Sequence, residues 1–264
     1  MSRFTECFKK AANEQRPAYI PFLMLGDPTP ELSLRIIDEV IASGIDAIEL
    51  GIPFSDPIAD GPIVSLAANR ACQHHLTTHQ YLTLISRIRE KHPSLPIGIL
   101  VYANLVFRYE YDTFYRQAKA FGVDGVLIPD LPFIEAMPYL QSAKQHAIDA
   151  IMLATPACPP SSLKHVAEYG SGFTYLVTRP GVTGVERESQ FEMTQQKVQQ
   201  LDTLNAPPCV FGFGIKNALD VARAYQAGAK GVIIGSALID AIQKQLLTRN
   251  PGSISDLTRS LFMG

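Results

Sequence analysis

Ala42-Ser43-Gly44-Ile45-Asp46-Ala47-Ile48-Glu49-Leu50 sets a pattern that returns twice. The later copies are Ala120-Phe121-Gly122-Val123-Asp124-Gly125-Val126-Leu127-Ile128 and Gln226-Ala227-Gly228-Ala229-Lys230-Gly231-Val232-Ile233-Ile234. In each, a helical stretch stops at a glycine and a short apolar run starts two or three residues later. Glycine suits the position just past a helix end, where the chain enters the left-handed region at little steric cost. The near-continuous apolar run that follows is that of a strand covered on both faces, as parallel strands are. Looser copies run through His146-Ala147-Ile148-Asp149-Ala150-Ile151-Met152 and Glu168-Tyr169-Gly170-Ser171-Gly172-Phe173-Thr174-Tyr175.

Working outward from these copies gives eight expected strands: Tyr19–Leu25, Asp46–Gly51, Ile97–Ala103, Gly125–Pro129, Asp149–Thr155, Phe173–Val177, Cys209–Phe213 and Gly231–Ile234. Each is followed by helical sequence. The 264 residues divided by eight leave about 33 per unit, which fits a (β/α)8 TIM barrel; a doubly wound open sheet is the second choice. The second and third strands are far enough apart for two helices. Helix starts are readable. Thr29-Pro30 supplies a cap and a first-turn proline, followed by a stripe of Leu32, Ile36, Ile37, Val40 and Ile41. Asp112 is expected to open a helix with Phe114, Ala118 and Phe121 on one face, and Asn217 another with Val221 and Tyr225 inward. Residues before Pro17, with Phe4, Phe8 and Ala11 on one face, read as an N-terminal cap helix, and the tail after Pro251 as one more helix. No composition break marks a linker, so residues 1–264 are expected to form a single barrel domain.

Composition removes several function classes. The chain is 47% hydrophobic and 18% charged, with 23 Lys and Arg against 25 Asp and Glu, a net charge of −2. That balance leaves no electrostatic footprint for nucleic acid or an anionic membrane. No apolar run approaches the length of a membrane span. Ala18–Leu25 is apolar like a signal core, but Pro21 and the following Gly26-Asp27-Pro28 read as strand and turn. Cys7, Cys72, Cys158 and Cys209 are scattered and form no CxxC pair, so free thiols and a cytoplasmic location are expected. The histidines show no ligand spacing, and His74, His75 and His146 read as surface residues.

In a barrel, chemistry sits at the C-terminal strand ends and in the loops beyond them. If Ile48 and Leu50 pack on helices, strand parity turns Glu49 into the barrel, where desolvation raises its pKa toward the working pH and favours proton transfer. The loop Gly51-Ile52-Pro53-Phe54-Ser55-Asp56-Pro57-Ile58-Ala59-Asp60-Gly61-Pro62 hangs two more acids above it. Asp56-Pro57 also reads as a turn and Asp60 as a helix cap; a second carboxylate near Glu49 would instead serve a two-acid mechanism. Val182-Thr183-Gly184, Gly212-Phe213-Gly214 and Gly235-Ser236 follow the last three strands, where backbone N–H groups and a helix N-terminus form the usual phosphate cradle of such barrels. Phe22, Leu100, Tyr102, Leu127 and Tyr175 have inward parity and either fill the barrel or line a flat apolar pocket. The acids could hold a divalent metal beside a phosphate, but the cradle makes a metal-free site the preferred reading.

The segment from Glu49 to Pro62 resembles the signature of the tryptophan synthase α subunit family. Pro21-Phe22-Leu23-Met24-Leu25-Gly26-Asp27-Pro28, Tyr102-Ala103-Asn104, Arg179-Pro180-Gly181-Val182-Thr183-Gly184 and Gly212-Phe213-Gly214-Ile215 match its other blocks in order. The resemblance implies a lyase that splits indole-3-glycerol phosphate into indole and glyceraldehyde 3-phosphate. By position it makes Glu49 the acid/base, Asp60 the carboxylate meeting the indole N–H, and Tyr175 a supporting active-site tyrosine. It assigns Phe22, Leu100, Tyr102, Leu127 and Phe213 to the pocket. Gly184, Gly214, Gly235 and Ser236 go to the phosphate site, with Thr183 on the loop beside it. Pro129 and Leu153 stand where some members carry Ala and Ile. The resemblance implies no cofactor or metal in this chain. It also implies an α2β2 complex with a β subunit that carries pyridoxal phosphate, docked near Asp56 and Asn104 to Arg108.

Overall fold

The computed structural model describes residues 2–155, 157–177, 185–212, 214–248 and 252–264, with residues 185–192 described by backbone alone. Among them eight parallel strands close into a barrel in sequence order. They are β1 (Ala18–Met24), β2 (Ile48–Gly51), β3 (Ile97–Leu100), β4 (Gly125–Leu127), β5 (Asp149–Ala154), β6 (Thr174–Val177), β7 (Cys209–Gly212) and β8 (Gly231–Ile234). The helices around them are α1 (Arg3–Asn13), α2 (Pro30–Ala42), α3 (Pro62–Cys72), α4 (Thr78–Lys91), α5 (Ala103–Tyr109), α6 (Tyr111–Ala120), α7 (Phe133–Gln145) and α8 (Pro160–Tyr169). The last four are α9 (Val185–Thr203), α10 (Ala218–Gln226), α11 (Ser236–Leu246) and α12 (Ile254–Met263). The expected (β/α)8 barrel is present, with α3 and α4 filling the long connection after β2.

The repeated sequence pattern has a structural meaning at each of its positions. Gly44, Gly122 and Gly228 have φ of 90°, 89° and 101°, the left-handed turn that ends each helix. In the first two copies an aspartate two residues on pins the base of the strand. Asp46 accepts two bonds from the Arg16 guanidinium and one from the Tyr19 N–H at 2.9 Å. Asp124 is held at 2.7 Å by both Arg3 and Arg89 and accepts the Ile97 N–H at 2.9 Å. Each carboxylate thus ties one strand base to its neighbour.

Helix α1 closes the N-terminal mouth of the barrel. Phe4 and Phe8 insert beneath the strands, with the Phe4 and Phe173 rings edge-on at 5.3 Å. Room for them comes from residues without side chains. A Cβ on Gly125 would stand 3.1 Å from the Phe4 ring and 2.8 Å from Ile151, and one on Gly231 would stand 3.1 Å from Phe8. With the lower end plugged, the open end at the strand C-termini is left for chemistry.

Several sequence expectations need correction. Some strands stop earlier at their C-terminal ends, since β3 gives way to α5 at Ala103 and β4 ends at Leu127, whereas β2, β6 and β8 end where expected. Helix α6 is capped by Glu110 and not by Asp112; the Glu110 carboxylate accepts the N–H groups of Asp112 and Thr113. On α10, Val221 and Ala224 face inward, and Tyr225 is 41% exposed. His74 meets the Pro28 carbonyl at 2.7 Å and His146 meets Asp112 at 2.8 Å, so neither is a free surface residue. Asn217 and Thr29 cap their helices as expected. The four cysteines are free thiols. No described helix is long and apolar enough to cross a membrane.

Candidate active site

Ile48 and Leu50 are fully buried toward the helices, and the alternation of a strand turns Glu49 to the other face, into the barrel. Glu49 pairs in register with Phe22 on one side and Gly98 on the other. It is 1% exposed, and neither carboxyl oxygen has a hydrogen-bond partner among the described residues. Burial, with the nearby Asp60 charge adding to it, pushes its pKa up to about 8. At neutral pH Glu49 is therefore a protonated acid with a proton to give.

Asp60 comes from the loop between β2 and α3. The loop turns back on itself through the Asp60 N–H to Pro57 carbonyl bond at 3.1 Å. Helix α3 then starts at Pro62 with Gly61 as its cap, so Asp60 is not the cap and its carboxylate is left for other work. Burial raises the Asp60 pKa to about 6, while the hydroxyl of Tyr102 acts against that rise as a hydrogen-bond donor. Near pH 7 the two acids thus hold opposite protonation states. This pairing separates a proton donor from a charge stabiliser. Asp56 lies exposed in its own turn, away from the site.

The two acids share one cavity with Phe22, Leu100, Tyr175, Gly214, Gly235 and Ser236. All of these except Asp60 lie on a strand or within two residues of a strand's C-terminal end. The hydroxyl of Tyr175 packs where a Cβ on Gly212 would overlap it, and burial beside Glu49 and Asp60 raises its pKa, so it remains a neutral phenol. On the other side of Phe22, α11 starts at Ser236 with no side chain capping its N-terminus. Its first N–H groups and the helix dipole face the cavity, an anion site by construction. Gly214 has φ of 86°, which its neighbouring turn requires. Tyr102 is buried beside Asp60 without lining the cavity, and Leu127, buried in β4, is the register partner of Leu100 on the neighbouring strand. Thr183, Gly184 and Phe213 lie outside the described residues. Val64, Ile215 and Ile233 also line the cavity and were not singled out in the sequence. Val64 sits in the first turn of α3, where helical periodicity says nothing about a barrel mouth. No cluster of three or more metal-ligating side chains occurs among the described residues.

A family model described as tryptophan synthase alpha chain matches residues 8–258. The chain belongs to the tryptophan synthase alpha chain family. It is 47% identical to the tryptophan synthase alpha chain of Aeromonas hydrophila, over 92% of this chain and 90% of that one. The Erwinia tasmaniensis alpha chain is 43% identical over 98% of this chain and 100% of its own length. Among solved structures, the Legionella pneumophila alpha chain superimposes with a TM-score of 0.87 at 28% identity, covering 99% of this chain and 96% of that one. A Mycobacterium tuberculosis tryptophan synthase chain gives 0.85 at 30% identity, covering 100% and 99%. Members of the tryptophan synthase alpha chain family are lyases, and the α half-reaction cleaves indole-3-glycerol phosphate.

Proposed function

We propose that the cavity between Glu49 and the α11 N-terminus is where this tryptophan synthase alpha chain cleaves indole-3-glycerol phosphate. The observation that carries the reading is the pair of buried acids with separated pKa values, about 8 and about 6, facing one cavity. Protonated Glu49 gives its proton to C3 of the indole. The ring nitrogen becomes positive, and ionised Asp60 stabilises that charge against the N–H. The glycerol hydroxyl next to the ring then loses its proton to the Glu49 carboxylate. Its oxygen forms the aldehyde C=O, the C–C bond breaks, and the bond's electron pair returns to the ring to give neutral indole. Glu49 ends protonated, as it began. Tyr175 stands beside both acids as a neutral hydroxyl.

The phosphate docks on the N–H groups at Gly235 and Ser236, with Gly214, Gly184 and Thr183 completing the cradle, and contributes binding energy remote from the reacting bond. Phe22, Leu100, Leu127 and Phe213 supply apolar surface for the ring. This chain needs no cofactor or metal for the cleavage. Pyridoxal phosphate belongs to a β subunit, with which the chain forms an α2β2 complex in the cytoplasm. Ile58, 82% exposed in the β2–α3 loop, and Phe107, 68% exposed on α5, are large apolar side chains at the open end of the barrel and suit that docking surface. Residues 1–264 act as one domain, since α1 plugs the same barrel on which α12 packs.

Indole release from indole-3-glycerol phosphate, measured with and without a β subunit, tests the reading. Turnover is expected in both cases and faster with the partner. No indole in either case would overturn it.

A further inference from the structure

Tyr102 follows β3 and is 1% exposed, yet it is not part of the cavity wall. Its ring lies against Phe54 at 5.3 Å between centroids. Its hydroxyl oxygen accepts the N–H of Ala59 at 3.1 Å, 43 residues back along the chain. An oxygen that accepts there still has its own proton to donate, and the acceptor beside it is the carboxylate of Asp60, the residue after Ala59. The following residue is fixed as well: the Ala103 N–H donates to Asp130 at 2.8 Å, holding the start of α5. One phenol thus grips the β2–α3 loop by its backbone and the reacting carboxylate by its charge.

We propose that Tyr102 is a positioning residue for the lyase reaction: its hydroxyl anchors the loop at Ala59 and aims the ionised Asp60 carboxylate into the cavity. The consequence for rate rests on the function proposed above, whereas the Tyr102–Ala59 hydrogen bond does not. Tyr102 touches no reacting atom. It acts through Asp60, by favouring the charged form of a carboxylate that burial otherwise pushes toward neutrality. The loop supplies no other side chain to do this, since Asp56 is exposed and Ser55 is turned onto Asp56. Contact with the tilted Phe54 ring keeps the phenol from swinging away.

Tyr102→Phe keeps the ring and its contact with Phe54 and removes only the hydroxyl. The Asp60 carboxyl resonance, followed by carbon NMR in the full chain, is expected to titrate roughly one pH unit higher in the variant, the equivalent of one charge-assisted hydrogen bond. The Ala59 amide is expected to exchange faster. In cleavage of indole-3-glycerol phosphate, kcat near pH 6 should fall roughly tenfold with KM little changed, and the acid limb of the profile should move up with the Asp60 midpoint. An unmoved Asp60 titration overturns the proposal, because loss of packing alone would raise KM and speed exchange without shifting it. Should Tyr102→Phe not fold, the wild type decides: the Tyr102 ring-carbon resonance next to the hydroxyl must follow the Asp60 titration, and its indifference overturns the proposal. A wild type that releases no indole refutes the lyase reading, while the carboxyl titration and amide exchange still decide the role of Tyr102.

Discussion

Replacing Glu49 with Gln should abolish indole release and, at the same time, stabilise the fold in a pH-dependent way. Folded, Glu49 binds its proton up to about pH 8; unfolded, it releases it near the ordinary 4.5. Between those values the folded state holds more protons than the unfolded one. The wild type therefore loses stability as pH rises from about 4.5 to about 8, relative to a side chain that cannot ionise. At pH 7 the gap of about 2.5 pH units from 4.5, at about 1.36 kcal/mol each, comes to about 3 kcal/mol. Gln matches the acid in shape, and because neither Glu49 oxygen has a hydrogen-bond partner among the described residues, the substitution breaks no bond with them. The assay is urea unfolding of both proteins at pH 4.5, 6, 7 and 8. The two should be about equally stable at the lowest pH, and the variant should lead increasingly up to pH 8. A stability difference that ignores pH would refute the idea that Glu49 is held as a buried neutral acid. Near-full activity of the variant would refute its role as the proton donor.

The same two acids set the pH profile of kcat/KM. It should be bell-shaped, rising through about 6 as Asp60 ionises and falling through about 8 as the Glu49 acid is lost, with apparent values belonging to the pair. Asp60→Asn should lower kcat roughly 100- to 1000-fold, the loss typical of removing one group that stabilises transition-state charge, while a phosphate-bearing inhibitor still binds. Phe4→Ala should destabilise the chain by about 3–5 kcal/mol in thermal or urea unfolding, because it empties the lower mouth of the barrel, far from the chemistry. Phe107→Asp should leave the indole release of the isolated chain unchanged and remove most of the acceleration by a β subunit, read by titrating the partner into the assay.

What could be read in advance depended on whether a period applied. The glycine-then-apolar pattern fixed the barrel because it recurs, and each copy turned out to hold a helix-ending glycine and, at Asp46 and Asp124, a carboxylate bonded to arginine. Glu49 was legible for the same reason: a two-residue period leaves one choice of face. Helical periods leave more room, and Tyr225 shows it. Val221 admits an inward neighbour three or four residues on, and Ala224, smaller and closer to the barrel, took the place. Glu110 and Asp112 are both acids at a helix start, and only the backbone turn at Glu110, with φ of 70°, decides which one caps.

Loops have no period, and so the sequence alone leaves Asp60 between a helix cap and a catalytic acid. What removes the ambiguity is a set of contacts that no local pattern encodes. Gly61 takes the cap position and frees the carboxylate, and burial under the loop lifts its pKa. Tyr102 holds the neighbouring Ala59 from the far side of the β2–β3 connection. A carboxylate whose direction is fixed from another element can be aimed without the aiming residue touching substrate. That arrangement explains how a proline-rich surface loop delivers one acid accurately over another that is rigid on a strand. It also explains why Tyr102, read by parity as pocket wall, acts from one layer behind it.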